Sequence, residues 1–396
     1  MVRTVMRVLH VITDIRLLGG GLAVSVRGLA SAQARLGMDV EILSVGVPGS
    51  SSLREPGQNG DRQPLLRTFA PAFPRRWGRS PDLAAHIRET ASRFDAIHLH
   101  GLWRHPVTAG ARLLRRIGSP YVITPHGLLN PLALSRRRWT KRPYLALLER
   151  QTLTGAGVIH CLSEFESASV RKLGLAKKVV VIPNGLSAAE MDRREPPGFL
   201  RQRYPGLRDR RLILYLGRVI REKGVRSLIP ALRQLRKTCP DAHLVLAGRC
   251  TRAERVRLKM LIAWHGVGDH VSQIGLLSAE EKWRALADAD VFVHPSSEEA
   301  DSMAVLEALA SGLPVVLGPG ADNHEIRARD IGWAVRPEPE AIASAILDAV
   351  RSPDRARETG EAGRRWVRSE RSWDRIAPRW LDVYRDLRSI KLKRGG

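Results

Sequence analysis

Residues 7–45 read RVLHVITDIRLLGGGLAVSVRGLASAQARLGMDVEILSV, and their order decides the fold. Arg7 to Thr13 is a short, almost unbroken apolar run, the pattern of a buried strand. Gly19, Gly20 and Gly21 follow, and then Leu22, Val26, Leu29 and Leu36 recur at helical spacing. Gly37 suits the position just past a helix end, and Val40 to Val45 is the next strand. The rhythm continues through AIHLH (Ala96 to His100), YVIT (Tyr121 to Thr124), GVIHCLS (Gly157 to Ser163) and KVVVIP (Lys178 to Pro183). Strands alternating with helices imply a parallel, doubly wound α/β sheet. The stretch from Pro48 to Pro81 is dense in Pro, Gly, Ser and Arg and reads as a long irregular, mobile insertion.

A second series starts after Glu195 to Arg211, whose proline and charge density suits a linker. Its strands are Leu212 to Gly217, Ala242 to Gly248, Val271 to Gly275, Val291 to Ser296 and Leu313 to Gly318. The tail from Ser372 to Ile390 is amphipathic, with Trp373, Ile376, Trp380, Val383 and Leu387 at helical spacing. A chain of 396 residues exceeds what one core holds, so two domains are expected. The expected division is 1–192 and 193–375, each Rossmann-like, with a helix at about 376–396 packing back on the first. Ligands of such sheets bind beyond the carboxyl ends of the strands, so two domains facing one another would form a cleft.

Composition narrows the function. There are 65 Lys and Arg against 40 Asp and Glu, a net charge of +25, which favours anionic partners. Aromatic residues are only 5%, and no helix-turn-helix, RNP-like or zinc pattern is present, which argues against nucleic acid. The three cysteines, Cys161, Cys239 and Cys250, form no CxxC pair; a disulfide framework or structural zinc is not expected, and a reducing, cytoplasmic setting is. The first apolar run is too short to span a membrane and reads as a strand, not a signal peptide. Work at a membrane would be done from its inner surface. The basic run RRRWTKR, Arg136 to Arg142, suits an anionic lipid surface, although a solvated helix face has the same composition.

The chemistry gathers in EEADSMAVLEALASGLPVV, Glu298 to Val316. Ser302 can cap a helix from about Met303 to Ala310, Gly312 can end it, and Pro314 leads into the next strand. The free amides at Met303 and the helix dipole suit phosphate. Glu299 and Glu307 suit hydroxyls, because carboxylates accept strong charge-assisted hydrogen bonds. A sugar nucleotide, with phosphates between two hydroxylated rings, satisfies all three. In the loop GRVIREKG, Arg218 and Lys223 can clamp a diphosphate, bidentately and as a point charge.

Taken jointly, GRxxxxKG, ExxxxxxxE and ALASGLPVV resemble the retaining glycosyltransferases of the large family four, which have the GT-B fold. HLHGLW (His98 to Trp103), TPHGLLNP (Thr124 to Pro131), LSEFE (Leu162 to Glu166) and VIPNG (Val181 to Gly185) match that family's landmarks in order. The versions here look most like enzymes that build bacterial exopolysaccharide or other surface glycans. The resemblance implies transfer of a hexose from a nucleotide-diphosphate sugar to a glycan or polyprenyl-pyrophosphate-linked acceptor. It implies that Glu299 contacts donor-sugar hydroxyls, Glu307 the ribose, and Arg218 and Lys223 the diphosphate. His126 would lie near the donor's reacting face. Gly20 and Gly21 would allow close approach of backbone to ligand. His100, Trp103, Asn130 and Asn184 would line the acceptor side or the cleft.

Two cations and a helix start can stabilise a departing nucleoside diphosphate without a metal or any other cofactor. Asp288 and Asp290 form a DxD pattern but precede their strand, the wrong end for a ligand. The resemblance implies retention by front-face attack, through an oxocarbenium-like transition state. The chain departs from the family at Ala300-Asp301-Ser302, where Gly-Phe-Gly is usual. Asp301 adds a negative charge there, read as either a contact to a sugar hydroxyl or amine or a sign of lost activity. Two other readings share the fold: a sugar-nucleotide 2-epimerase, and a non-catalytic partner of an active transferase. The paired glutamates and cations speak for transfer.

Overall fold

In the computed structural model the described residues are 5–16, 20–46, 62–136, 138–175, 178–320 and 324–395. They fall into two units, Met1–Ser187 with Trp373–Gly396, and Ala188–Ser372.

In the first unit the strands are β1 (Arg7–Ile12), β2 (Asp39–Val45), β3 (Leu65–Phe69), β4 (Ala96–His100), β5 (Val122–Thr124), β6 (Val158–Cys161) and β7 (Val179–Val181). They pair in parallel in the order β3-β2-β1-β4-β5-β6-β7. The order reverses between β1 and β4, which makes their carboxyl ends the switch point where such sheets bind ligands. Strand β3 corrects the reading of Pro48 to Pro81 as irregular. Residues 47–61 of that stretch lie outside the described residues, but Leu65–Phe69 adds an edge strand, with Glu41 opposite Leu65 and Val45 opposite Phe69. Five residues between prolines and arginines give too short an alternation to register as a strand. Arg67 also pairs with Glu41 at 2.6 Å, so a charge that reads as loop composition belongs to the sheet.

Because side chains alternate across a strand, one face of this sheet takes Leu9, Val11, Leu99, Ile123 and Ile159 into one core. The other face takes Val8, Ile12, Ala96, Val122 and Val158 into a second. The second face is covered by helix Gly21–Arg35 and by the chain's tail, helices Trp373–Ile376 and Arg379–Gly395. Pro378 separates the two tail helices. Trp380, Tyr384 and Leu387 are fully buried there, and the burial of Leu387 alone contributes about 1.5–3 kcal/mol. That is why a segment some 190 residues from its neighbours belongs to this unit: the Trp373 amide donates to the Leu186 carbonyl at 2.9 Å.

The second unit has β8 (Arg211–Leu216), β9 (Ala242–Ala247), β10 (Val271–Gly275), β11 (Val291–His294), β12 (Val315–Leu317) and β13 (Trp333–Ala334), all parallel, in the order β10-β9-β8-β11-β12-β13. Its switch point lies between β8 and β11. β13 is two residues long, below what apolar periodicity can reveal. Both sheets are thus parallel and doubly wound, as the βα rhythm requires. Among the described residues no helix is long and apolar enough to cross a membrane.

Candidate active site

In the second unit the loops that leave β8 and β11 meet, because those strands are parallel neighbours. Gly224 has φ +70°, and a Cβ there would strike the Pro295 carbonyl, so only glycine lets the two loops touch. The contact delivers Lys223 onto the Glu299 carboxylate. His294, the last residue of β11, donates from Nε2 to the same Glu299 oxygen at 2.7 Å. Burial alone would raise the Glu299 pKa, but the Lys223 charge and the His294 hydrogen bond outweigh it and hold the carboxyl well below the usual range. Glu299 is therefore an ionised acceptor with two fixed donors. Tyr215 stacks on His294 with ring centroids 5.6 Å apart and donates to the Arg218 carbonyl at 2.8 Å. Sequence reasoning missed both His294 and Tyr215. The cue was their position at the carboxyl ends of the two switch-point strands.

Arg218 is exposed and has no carboxylate partner among the described residues. Lys223 differs, since it already neutralises Glu299, so an incoming diphosphate would share it. Helix Met303–Ala310 runs as expected, and the amides of its first turn have no intrahelical acceptor. Ser302 stands at the N-cap position but, against expectation, its side chain makes no capping bond. Met303 is buried at the helix start.

Glu307 lies on the buried side of that helix, 3% exposed, with Lys282 Nζ 2.5 Å from its Oε1. Burial raises its pKa and Lys282 opposes the rise. Lys282 comes from helix Ala279–Asp288, which precedes β11, and nothing in the local sequence marked it. Asp301 is also engaged. Its carboxylate accepts from Arg371 Nη1 at 3.1 Å, both side chains being 6% exposed, and Arg371 Nη2 reaches Glu325 at 3.2 Å. The charge that departs from the family pattern thus has a buried counter-charge 70 residues away. Asp288 and Asp290 hold backbone amides: Asp288 those of Gly198 and Leu200, Asp290 that of Leu212 at 2.7 Å.

In the first unit a cavity of about 840 Å³ opens at the carboxyl ends of β1, β2 and β4. Arg16, Arg75, Arg76, Arg104 and Lys141 line it, against Asp14. Asp14 pairs with Arg16 at 2.8 Å, whereas Arg75, Arg76 and Arg104 have no carboxylate partner among the described residues. Trp103 forms part of the wall, with backbone φ +66° and Lys141 Nζ 5.3 Å from its ring centre. Its amide donates to Glu149 at 2.8 Å. So Lys141, from the run Arg136 to Arg142, turns inward, while Trp139 is 78% exposed; Arg137 lies outside the described residues.

His126 has φ +56°, a left-handed conformation unusual for a side chain, and Glu166 braces its loop by accepting from the amides of Gly127 and Leu162. His100 Nδ1 lies 3.2 Å from His126 Nε2. Gly20, at φ +72°, starts helix Gly21–Arg35. Asn184 accepts from Ser25 on that helix. Asn130 is buried and opens the short helix Pro131–Ser135. Strand parity also buries His10, His98, His100 and His160 on one face of the sheet, which sequence reasoning did not foresee. Ring nitrogens of His10, His98 and His100 lie within 4.8 Å of one another, a separation a metal could bridge, but each of those nitrogens already has a protein partner.

The family model described as Glycosyl transferases group 1 matches residues 199–366, and that of the Glycosyl transferase 4-like domain matches residues 20–185. A GDP-mannose-dependent alpha-(1-6)-phosphatidylinositol monomannoside mannosyltransferase of Mycolicibacterium smegmatis is 30% identical over 311 residues, 68% of this chain and 80% of its own. The chain belongs to the group 1 glycosyltransferases. Solved structures agree on the fold of this glycosyltransferase. Sucrose-phosphate synthase from Thermosynechococcus elongatus superposes with a TM-score of 0.76 at 22% identity, over 96% of this chain and 99% of that one. Anabaena HepE, solved with UDP and glucose, gives 0.75 at 18% identity over the same shares. The fold is GT-B.

Proposed function

We propose that this glycosyltransferase moves a hexosyl group from a nucleotide-diphosphate sugar to an anionic, lipid-linked acceptor, with retention and without a metal or other cofactor. The observation that carries the reading is Lys223 seated on the ionised Glu299 beside His294, at the switch point of the second sheet. Glu299 accepts sugar hydroxyls; Lys223 and Arg218 stabilise the leaving diphosphate. Glu307, with its charge balanced by Lys282, takes the ribose. In the step itself the bond from the anomeric carbon to phosphate oxygen breaks. The acceptor oxygen bonds to that carbon on the same face, and its proton passes to the departing phosphate oxygen.

The basic cavity of the first unit supports an acceptor with phosphate near its reacting hydroxyl, such as a polyprenyl-pyrophosphate-linked glycan. The mycobacterial relative is named for a phosphatidylinositol monomannoside acceptor. Exposed Trp139 and Leu147 beside Arg138 and Arg142 would rest on the inner face of the cytoplasmic membrane, where surface glycans are assembled.

A thermal-shift panel of nucleotide sugars on the purified protein tests the donor. The true donor raises the melting temperature, and Glu307→Ala and Arg218→Ala abolish the rise. Turnover then separates the rivals. Nucleoside diphosphate release that depends on acceptor supports transfer; an isomerised sugar nucleotide would support an epimerase; binding without turnover would support a non-catalytic partner.

A further inference from the structure

Beneath His126 lies an unbroken run of buried hydrogen-bonding side chains whose two ends differ. One end is a backbone carbonyl, which can only accept. The other is His126. We infer that the Ile182 carbonyl, acting through seven intervening side chains, fixes the tautomer of His126, holding Nε2 protonated and Nδ1 as a lone-pair acceptor.

Each link forces the next. Ile182 O lies 2.7 Å from His160 Nε2, so that nitrogen carries the proton. The neutral ring then accepts at Nδ1 from the Thr124 hydroxyl, 2.7 Å away. Thr124 has used its proton, so its oxygen accepts from His98 Nε2 at 2.6 Å. His98 Nδ1 therefore accepts from the Tyr384 hydroxyl at 3.1 Å. Tyr384 oxygen accepts from the Gln33 amide nitrogen at 3.1 Å, which turns Gln33 Oε1 toward His10 Nε2, 2.8 Å away. His10 Nδ1 accepts from His100 Nε2 at 2.8 Å, and His100 Nδ1 from His126 Nε2 at 3.2 Å.

The relay requires neutral imidazoles. Burial supplies them: it pulls His10 and His160 down to about 4 and His126 to about 3, and holds His98 and His100 well below the usual value. The reverse polarity would set the His160 Nε2 lone pair against the Ile182 carbonyl. Register explains why the chain exists. His10 pairs with His98, His98 with Val122 and His100 with Thr124, so their side chains share one face, and Gln33 and Tyr384 come from the helices that cover it.

The consequence rests on the reading of His126 as a ligand-facing residue. A fixed Nδ1 lone pair accepts a sugar hydroxyl and rejects a group that only accepts. Thr124, Tyr384 and Gln33 are then positioning residues.

Long-range 1H–15N correlation spectra of the full chain, labelled with 15N-histidine, report the tautomers directly at pH 7 without ligand. His10, His98, His100, His126 and His160 should all be Nε2-protonated, with His126 Nδ1 at the lone-pair shift. A protonated Nδ1 on His126, or averaged shifts, would overturn the inference. Tyr384→Phe cuts the chain at its centre. His126 should become a tautomer mixture while His160 keeps its proton on Nε2. Thr124→Val should do the same to His126, and Thr124→Ser should preserve the wild-type spectrum. An unchanged His126 in both cut variants would refute control from Ile182. Zinc-dependent shifts of His10, His98 and His100 at stoichiometric metal would equally refute it. Donor binding does not enter the measurement, so it and the donor reading can fail separately.

Discussion

The Lys223 ammonium rests on the Glu299 carboxylate although the two are 76 residues apart in sequence. Their side chains are 18% and 12% exposed, so each charge depends on the other. Removing one partner of such a pair leaves the other buried and uncompensated. Lys223→Met should lower unfolding free energy by about 3 kcal/mol, the low end for a buried pair. Lys223→Met with Glu299→Gln should recover most of that loss while transferase activity stays absent. Urea denaturation of the three proteins checks it; equal stability of the single and double variants would mean that the pair is not coupled.

Glu307 and Lys282 form another such pair, 2.5 Å apart. If this carboxylate accepts from ribose hydroxyls, Glu307→Gln weakens a charged hydrogen bond worth about 1.5–3 kcal/mol. The donor KM should rise ten- to hundredfold with kcat little changed. A donor lacking the ribose hydroxyl should show the same penalty on the wild type and none on the variant. A fall in kcat at unchanged KM would remove Glu307 from the nucleotide.

Much of this was legible in the sequence, and the parts that were not share a cause. Helix Met303–Ala310 follows from its apolar periodicity and Gly312, and the tail's docking tryptophans follow from their spacing. Glu299 could be singled out because it neighbours a helix start. Its partners could not, since Lys223 reaches it only through the close approach of Gly224 to Pro295. Arg371, which neutralises Asp301, comes from the far side of the unit's sequence. The histidines are plain in RVLHVI, AIHLH and VIHC. Only the register of the strands tells that they face one another. Local pattern fixes elements; charge partners across strands need the register.

Glu149 is fully buried, accepting from the Trp103 amide and from Thr108 Oγ1 at 3.1 Å. Burial raises its pKa, with the Trp103 amide opposing. An acid whose folded pKa lies above its unfolded value has its stabilising contribution in full below the unfolded value, and loses it as pH rises through the folded one. Glu149→Gln keeps an accepting oxygen without the charge. Relative to wild type it should gain stability as pH rises from 4 to 7.5, read as a rightward shift in the urea midpoint. A parallel pH dependence in both proteins would show that Glu149 ionises normally.

Trp139 is 78% exposed and Leu147 70% exposed, on consecutive helical segments that also carry Arg138 and Arg142. Phe73, 85% exposed, belongs to a loop tied to the same helix through Trp77 Nε1, which donates to the Tyr144 hydroxyl at 2.9 Å. Apolar tips among cations suit an anionic bilayer surface, where each cation contributes about 1 kcal/mol at low salt. The protein should pellet with vesicles containing anionic lipid at 50 mM salt, and much less at 500 mM, because screening shortens the reach of the charges. Trp139→Ala with Leu147→Ala should weaken binding at both salt concentrations. Arg138→Gln with Arg142→Gln should weaken it mainly at low salt and flatten the salt dependence. The two pairs test different forces, one apolar and one electrostatic, so an additive loss on combining all four would support both. Equal binding of the wild type to neutral and anionic vesicles would remove the electrostatic part, and no binding to either would remove the surface from the membrane.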